Sequence, residues 1–293
     1  MIKNLSDQKK GIFLSLIGIL IITPDSLFIR LVKINSWDLV FYRGIIPFFI
    51  LLIGLIIFYK KNFFKAIFII GYAGLINALI VALTNITFIF SLENTNVANT
   101  LVMLSLAPFM AAFLSIFLLK EYPKKRTWIA MFLCFIFVLF IFNDSYQSGR
   151  LVGDFFGFIT AFLVGASSVV IRIGKLANFL PSLMIAKFFT MLFTIFFVKS
   201  LYLEGADIYL VPIMCVFFVT IPLAFLTLAP RYMPAHEVEL FFVLETTLGP
   251  IWVWLIIRET PSLETIIGGS LIISTLLIHT ILELKKPNLK KAN

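Results

Sequence analysis

The sequence predicts an all-α membrane protein of ten transmembrane helices arranged as two inverted five-helix repeats, on three observations. First, 61% of the 293 residues are apolar and only 13% charged, against roughly 45–50% and about 25% in an ordinary soluble domain, so no water-facing surface can be assembled from them. Second, the apolar residues come in blocks of 17 to 25, the length that crosses a hydrocarbon core about 30 Å thick at 1.5 Å per residue. Third, two stretches of the first half recur in the second at nearly equal offsets. Backbone groups in lipid must be satisfied within the segment or in a closed barrel, and continuous apolar runs without in/out alternation choose helices.

The first span, 11–32, follows Lys3, Lys9 and Lys10; no small-residue cleavage site follows this signal-like opening, so it reads as a retained helix, with a kink invited by Pro24. The second, 38–58, opens at Asp38, carries Arg43 and stops before Lys60 and Lys61, and the third, 66–90, begins after Lys65. The fourth, 96–119, stops at Lys120, and the fifth, 127–143, lies between Arg126 and Asp144. The sixth, 152–173, carries Gly153, Gly157, Ala161 and Gly165 at i+4 spacing, a small-residue stripe that permits close backbone approach. The seventh, 181–200, opens on Pro181, and the eighth, 208–229, is bounded by Asp207 and Arg231. The ninth, 234–256, opens on Pro234, and the tenth, 263–281, ends before Lys285. The connections are too short to hold a soluble domain.

The net charge of +9 would suggest nucleic acid in a soluble protein, but here the basic residues occupy the short connections. With both termini cytoplasmic, that side receives Lys3, Lys9, Lys10, Lys60, Lys61, Lys65, Lys120, Lys124, Lys125, Arg126, Arg172, Lys175, Arg231, Lys285, Lys286, Lys290 and Lys291, while the other side keeps only Arg30, Lys33, Arg150, Lys199 and Arg258. Positive residues near helix ends set orientation, so both termini are expected inside, in a cell (inner) membrane. Cys134 and Cys215 fall inside separate spans and support neither a disulfide framework nor a metal motif.

The repeat is explicit. Leu118-Leu119-Lys120-Glu121-Tyr122-Pro123 matches Ile256-Ile257-Arg258-Glu259-Thr260-Pro261 at an offset of 138, and Phe28-Ile29-Arg30-Leu31-Val32-Lys33 matches Val170-Ile171-Arg172-Ile173-Gly174-Lys175 at an offset of 142. Five spans is an odd number, so the second half is expected to run upside down relative to the first, the halves being residues 1–147 and 148–293.

The chain resembles the drug/metabolite transporter superfamily, and within it the EamA-type ten-helix transporters. The residues that carry the resemblance are Ala107-Pro108 with Glu121 thirteen residues on, the stretch from Arg231-Tyr232-Met233-Pro234-Ala235 through Leu244-Glu245 to Arg258-Glu259-Thr260-Pro261, and Gly268-Gly269. The family's Leu-Glu-Pro reads Leu244-Glu245-Thr246 here, with Pro250 one turn later, which displaces the expected kink. The resemblance implies alternating access around a central cavity, with amino acids, nucleotide-like metabolites, choline-like compounds or drugs as cargo.

A charged side chain at mid-bilayer costs about 2.5–3.5 kcal/mol on insertion scales, so each one asks for a partner, a cavity or an exit. Glu245, about 16 Å into its span, is too short to snorkel; it reads as a cavity carboxylate for a cation or proton, or as a hydrogen-bonded structural acid. Asp25 and Arg43 fall at similar depth and can pair, as an outer gate or substrate anchor or as a structural ion pair. Lys187 is the repeat counterpart of Arg43 and reads either as an inner gate's cation or as a snorkelling lysine. Asn77, Thr84, Asn85, Thr220 and Thr227 are candidates for substrate or interhelical hydrogen bonds. Glu121 and Glu259, followed by Pro at helix ends, read as interfacial caps. The substrate-binding set expected from the sequence is Glu245, Asp25, Arg43, Lys187 and Asn85, with no catalytic residue, cofactor or metal.

A carrier is the leading reading. An intramembrane enzyme is disfavoured because no His-Glu-xx-His or Gly-x-Gly-Asp signature is present and His236 and His279 lie near cytoplasmic helix ends. A channel would need rings of carbonyls or charges that single acids do not supply. Acids facing Arg43 and Lys187 suit a small zwitterion, an amino acid or an S-adenosylmethionine-like metabolite, with a multidrug or cationic-metabolite exporter as the alternative. The partners expected are that small molecule and the lipid bilayer, with a proton or sodium ion left open as coupling ion, and no nucleic acid.

Overall fold

The computed structural model describes residues 6–284 except 121, 123–124, 175 and 234. It is 84% helix, with no strand among the described residues. Among the described residues, eight helical spans are long and apolar enough to cross a membrane. In chain order the helices are α1 (Asp7–Leu31), α2 (Ser36–Tyr59), α3 (Gly71–Asn94), α4 (Val97–Leu118), α5 (Lys125–Gln147), α6 (Leu151–Ile173), α7 (Leu180–Phe197), α8 (Asp207–Arg231), α9 (Glu237–Ile257) and α10 (Leu263–Leu284). In α5 and α10 the apolar stretches, Trp128–Asn143 and Leu263–Ile278, are shorter than in the other eight.

Two boundaries differ from the sequence expectation. Residue 66 does not open the third span: Lys60 (φ 48°) and Gly71 (φ 54°) are both left-handed and set off a separate short helix, Phe63–Ile69, so α3 starts at Gly71. Pro250 produces no break, since the helix Phe242–Ile257 runs through it. The interruption of α9 lies instead at Leu240–Phe241, between helical segments Ala235–Glu239 and Phe242–Ile257.

Three spans are broken along their length. In α1 the break is at Thr23–Pro24, where the proline has no N–H to continue the ladder. In α4 it is at Ser105–Leu106, just before Ala107-Pro108, and in α9 at Leu240–Phe241. A fourth, α8, contains a π-helical stretch, Met214–Thr220, between Pro212 and Pro222, and the Thr220 hydroxyl donates to Cys215 O at 2.6 Å. Breaks of this kind free backbone groups that only a protein-lined interior tolerates.

The packing has a pairwise order. α3 lies along α6 and α1 along α8; α2 packs on α7, α4 on α9 and α5 on α10; α3 also touches α7, and α2 touches α8. The small-residue stripe of α6 lets both α3 and α4 come close: a Cβ on Gly153 would stand 2.5 Å from Asn94 C on α3, and one on Gly165 would stand 2.7 Å from Ala111 N on α4. Polar groups cluster at two opposite ends. At one, Arg30 donates to Thr95 O (2.7 Å) and pairs with Glu259 (3.1 Å), while Lys33 N and Lys199 N donate to Asp207 and Asp38. At the other, Arg172 reaches Pro230 O, Asn178 donates to the Tyr59 hydroxyl, and Lys10 stands over the Tyr232 ring.

Candidate functional site

Between the helix pairs lies a cavity of about 120 Å³, lined from α1, α2, α3, α4, α6, α7, α8 and α9 and, among the described residues, by nothing from α5 or α10. All five expected residues, Asp25, Arg43, Asn85, Lys187 and Glu245, line it. The charged ones are deeply buried, at 1% (Asp25), 4% (Arg43), 1% (Lys187) and 2% (Glu245) exposure.

Each is positioned by a local feature. Asp25 is the first helical residue after the Pro24 break, which turns it inward. Arg43 precedes Gly44, and a Cβ there would meet Met191 N at 2.7 Å and Lys187 O at 3.1 Å; only a glycine lets α2 come this close to α7, and the contact brings Arg43 beside Lys187. The Arg43 guanidinium donates through Nη1 and Nη2 to the two Asp25 oxygens (2.7 and 2.8 Å) and through Nε to Asn85 Oδ1 (3.2 Å). That is the planar bidentate geometry a carboxylate accepts best.

This arrangement revises the division of labour. Asp25 and Arg43 pair, as their depths suggested, but in pairing they neutralise each other. The groups left free are Lys187 Nζ, Asn85 Nδ2 and Glu245 Oε2, which have no hydrogen-bond partner among the described residues. Lys187 does not snorkel, and it shares one cavity with Arg43 instead of guarding an opposite gate.

One residue escapes the sequence reading. Glu239, 2% exposed, lines the same cavity; one carboxylate oxygen accepts from the Ser168 hydroxyl and the other, Oε2, has no partner. From the sequence it is given no role. The only signal is its spacing, six residues before Glu245 on the same span. Arg43 is an electrostatic neighbour of both Lys187 and Glu245, and Glu245 in turn of Glu239. The free charges therefore run from a cationic side on α7 to an acidic side on α9.

The remaining polar candidates divide. Asn77 is spent on structure, donating to Ser182 Oγ (3.0 Å) and accepting from Ser167 Oγ (2.7 Å), which ties α3 to α6 and α7. Thr84 donates within its own helix, and Thr227 lines the cavity. Glu259 caps α4 by accepting from Val97 N at 2.8 Å, while Glu121 lies outside the described residues. Cys134 and Cys215 are buried and free, and no cluster of metal-ligating groups occurs among the described residues.

Broken helices, a buried central cavity and unpaired charges at its wall are what a carrier presents to cargo. Comparison with known proteins agrees: residues 9–143 match the model of the EamA-like transporter family. The match covers slightly less than half of the chain, so the first half is similar to that family. With eight helices long and apolar enough to cross a membrane among its described residues, the chain is a multi-pass membrane protein. The chain also shares its fold with a protein of known crystal structure, which is 12% identical and superposes with a TM-score of 0.70 over 95% of this chain and 100% of the other. Likeness at that identity is one of fold alone. No curated protein matches the sequence.

Proposed function

We propose that the protein is a secondary transporter that moves a small zwitterionic metabolite across the cytoplasmic membrane by alternating access. The observation that carries the reading is the pair of unpartnered, buried, oppositely charged ends, Lys187 Nζ and Glu245 Oε2, on the wall of one cavity. Unpaired charges are costly to hold in a membrane interior. A cargo with a carboxylate for Lys187 and Asn85 and an ammonium for Glu245 offsets that cost, and the Asp25–Arg43 pair holds the two sides at fixed positions. A volume of about 120 Å³ takes on the order of ten water-sized groups, which favours a cargo of amino-acid size over one of S-adenosylmethionine size.

In this reading all ten helices cross the membrane, residues 1–147 and 148–293 form the inverted halves, and both termini are cytoplasmic. The packing supports it: exchanging each helix with the one five places on turns α3–α6 into α8–α1 and α3–α7 into α8–α2, and leaves α2–α7, α4–α9 and α5–α10 unchanged. The halves rock about the site, and the cargo supplies the difference in affinity between inward and outward states.

The test is counterflow in proteoliposomes loaded with a mixture of unlabelled amino acids and offered labelled ones. Saturable, trans-stimulated exchange that is lost in both Lys187→Met and Glu245→Gln is expected. Current without saturation, or full exchange in both variants, would overturn the reading.

A further inference from the structure

The carrier reading accounts for Lys187 and Glu245 and leaves Glu239 over. Counting formal charges in the cavity, Asp25 cancels Arg43, Lys187 contributes one positive charge, and Glu239 and Glu245 contribute two negative ones. A neutral zwitterion satisfies Lys187 and one acid and leaves a second buried acid without a counter-charge. We infer that the cavity selects a zwitterion bearing one further positive charge, the class of basic α-amino acids and their sulfonium analogues, and that Glu239 is the residue that recognises the extra cation. The inference rests on the carrier reading above.

Three features of Glu239 argue for this. It is 2% exposed on the cavity wall with Oε2 unpartnered, so an acceptor stands ready where no protein donor reaches it. Its other oxygen is held by the Ser168 hydroxyl across from α6, which fixes the carboxylate instead of leaving it free to turn away. It closes the segment Ala235–Glu239 immediately before the α9 break, whereas Glu245 lies beyond that break, so the two acids belong to different rigid pieces. Of the two, Glu245 is the electrostatic neighbour of Arg43 and hence the nearer to the cationic side, with Glu239 farther along. A cargo with its carboxylate at Lys187 and Asn85 thus meets Glu245 with its α-ammonium and Glu239 with a group at the end of its side chain. One positively charged side chain on the cargo engages both pieces of α9, and a neutral one leaves Glu239 unfilled.

Purified protein in liposomes without a proton gradient separates the possibilities, using three probes of matched shape: labelled lysine, norleucine, which lacks the terminal ammonium, and cadaverine, which lacks the carboxylate. Lysine exchange is expected at least tenfold more efficient, by kcat/KM, than either of the other two, and Glu239→Gln lowers the lysine-to-norleucine ratio to about two or below. S-methylmethionine against methionine, which differ by one methyl and one charge, repeats the comparison with a sulfonium. Norleucine carried as well as lysine, or carried with a co-transported proton that Glu239→Gln abolishes, overturns the inference while the carrier reading stands. Cadaverine carried as well as lysine overturns both, since Lys187 then has no role, and absence of flux with every probe overturns the inference. Where Glu239→Gln fails to assemble, the wild-type ratios decide by themselves, and Ser168→Ala supplies the second variant, with a lysine-to-norleucine ratio lowered at least threefold.

Discussion

Arg43 binds Asp25 through both terminal nitrogens, at 2.7 and 2.8 Å, with both residues at or below 4% exposure. A buried pair of this geometry is weak evidence for stability, but breaking it strands a charge, at a cost of about 3–5 kcal/mol. Asp25→Ala and Arg43→Ala are each expected to lower thermal stability in detergent by that order, and the double variant Asp25→Leu with Arg43→Met to regain at least half of the loss. Strictly additive losses in the thermal-shift series would show that the pair is not the coupled unit the geometry describes.

Lys187 invites the opposite outcome. Its Nζ is buried without a partner, so removing the charge removes a desolvation cost instead of an interaction. Lys187→Met, which keeps the stem's volume, is expected to raise the melting temperature by several degrees at roughly 2–4 °C per kcal/mol for a chain somewhat below this size. The same variant loses exchange. A group that costs stability and is needed for activity is the signature of a binding site, and a Lys187→Met protein that melts lower would place the ammonium in a structural role.

Much of this is legible in the sequence because a bilayer leaves few choices. Apolar block length locates the helices, and a charge count at their ends locates the connections. Depth along α1 and α2 puts Asp25 and Arg43 on one level, and they pair. Lys187 is harder to place. It stands seven residues from the start of α7 as Arg43 stands seven from the start of α2, roughly 10 Å in, and with the inversion expected from the repeat that depth reads as two separate gates. The Gly44 contact and two long side chains bring them into one cavity, and nothing in a one-dimensional depth scale encodes that contact. Glu239 escapes for a related reason: five residues into a span, an acid reads as interfacial until a helix break draws its segment inward against Ser168. The break itself is expected at Pro250, but proline is tolerated inside a helix whose neighbours absorb the lost hydrogen bond.

Gly44 offers a clean packing test because Gly54, on the same helix, has open space within 4 Å of the point where a Cβ would stand. Gly44→Ala forces a methyl against Met191 N, a backbone atom that cannot swing aside, and overpacking of this kind costs about 1–3 kcal/mol. Gly54→Ala meets nothing and gains the helix preference of alanine, roughly 0.5–1 kcal/mol. Opposite signs in parallel thermal melts are the expected result. In addition, Gly44→Ala is expected to weaken exchange by displacing Arg43 from Lys187, an effect that Gly54→Ala does not share.

Arg30 and Glu259 join the end of α1 to the end of α9: Arg30 Nε stands 3.1 Å from Glu259 Oε2, Arg30 Nη2 donates to Thr95 O, and Glu259 Oε1 accepts from Val97 N. The side chains are about a quarter exposed, so the ion pair by itself contributes about 0–1 kcal/mol, and Glu259→Gln is expected to change the melting temperature little. Its consequence is for motion. A carrier that opens at this end has to part α1 from α9, and a covalent link between them holds it shut. In a background with Cys134 and Cys215 replaced by alanine, Arg30→Cys with Glu259→Cys is expected to exchange cargo when reduced. A short thiol-specific cross-linker should then cut the exchange at least tenfold, and the same reagent on either single cysteine should leave it within about twofold. Undiminished exchange in the fully cross-linked protein would mean that these two helices do not separate during transport.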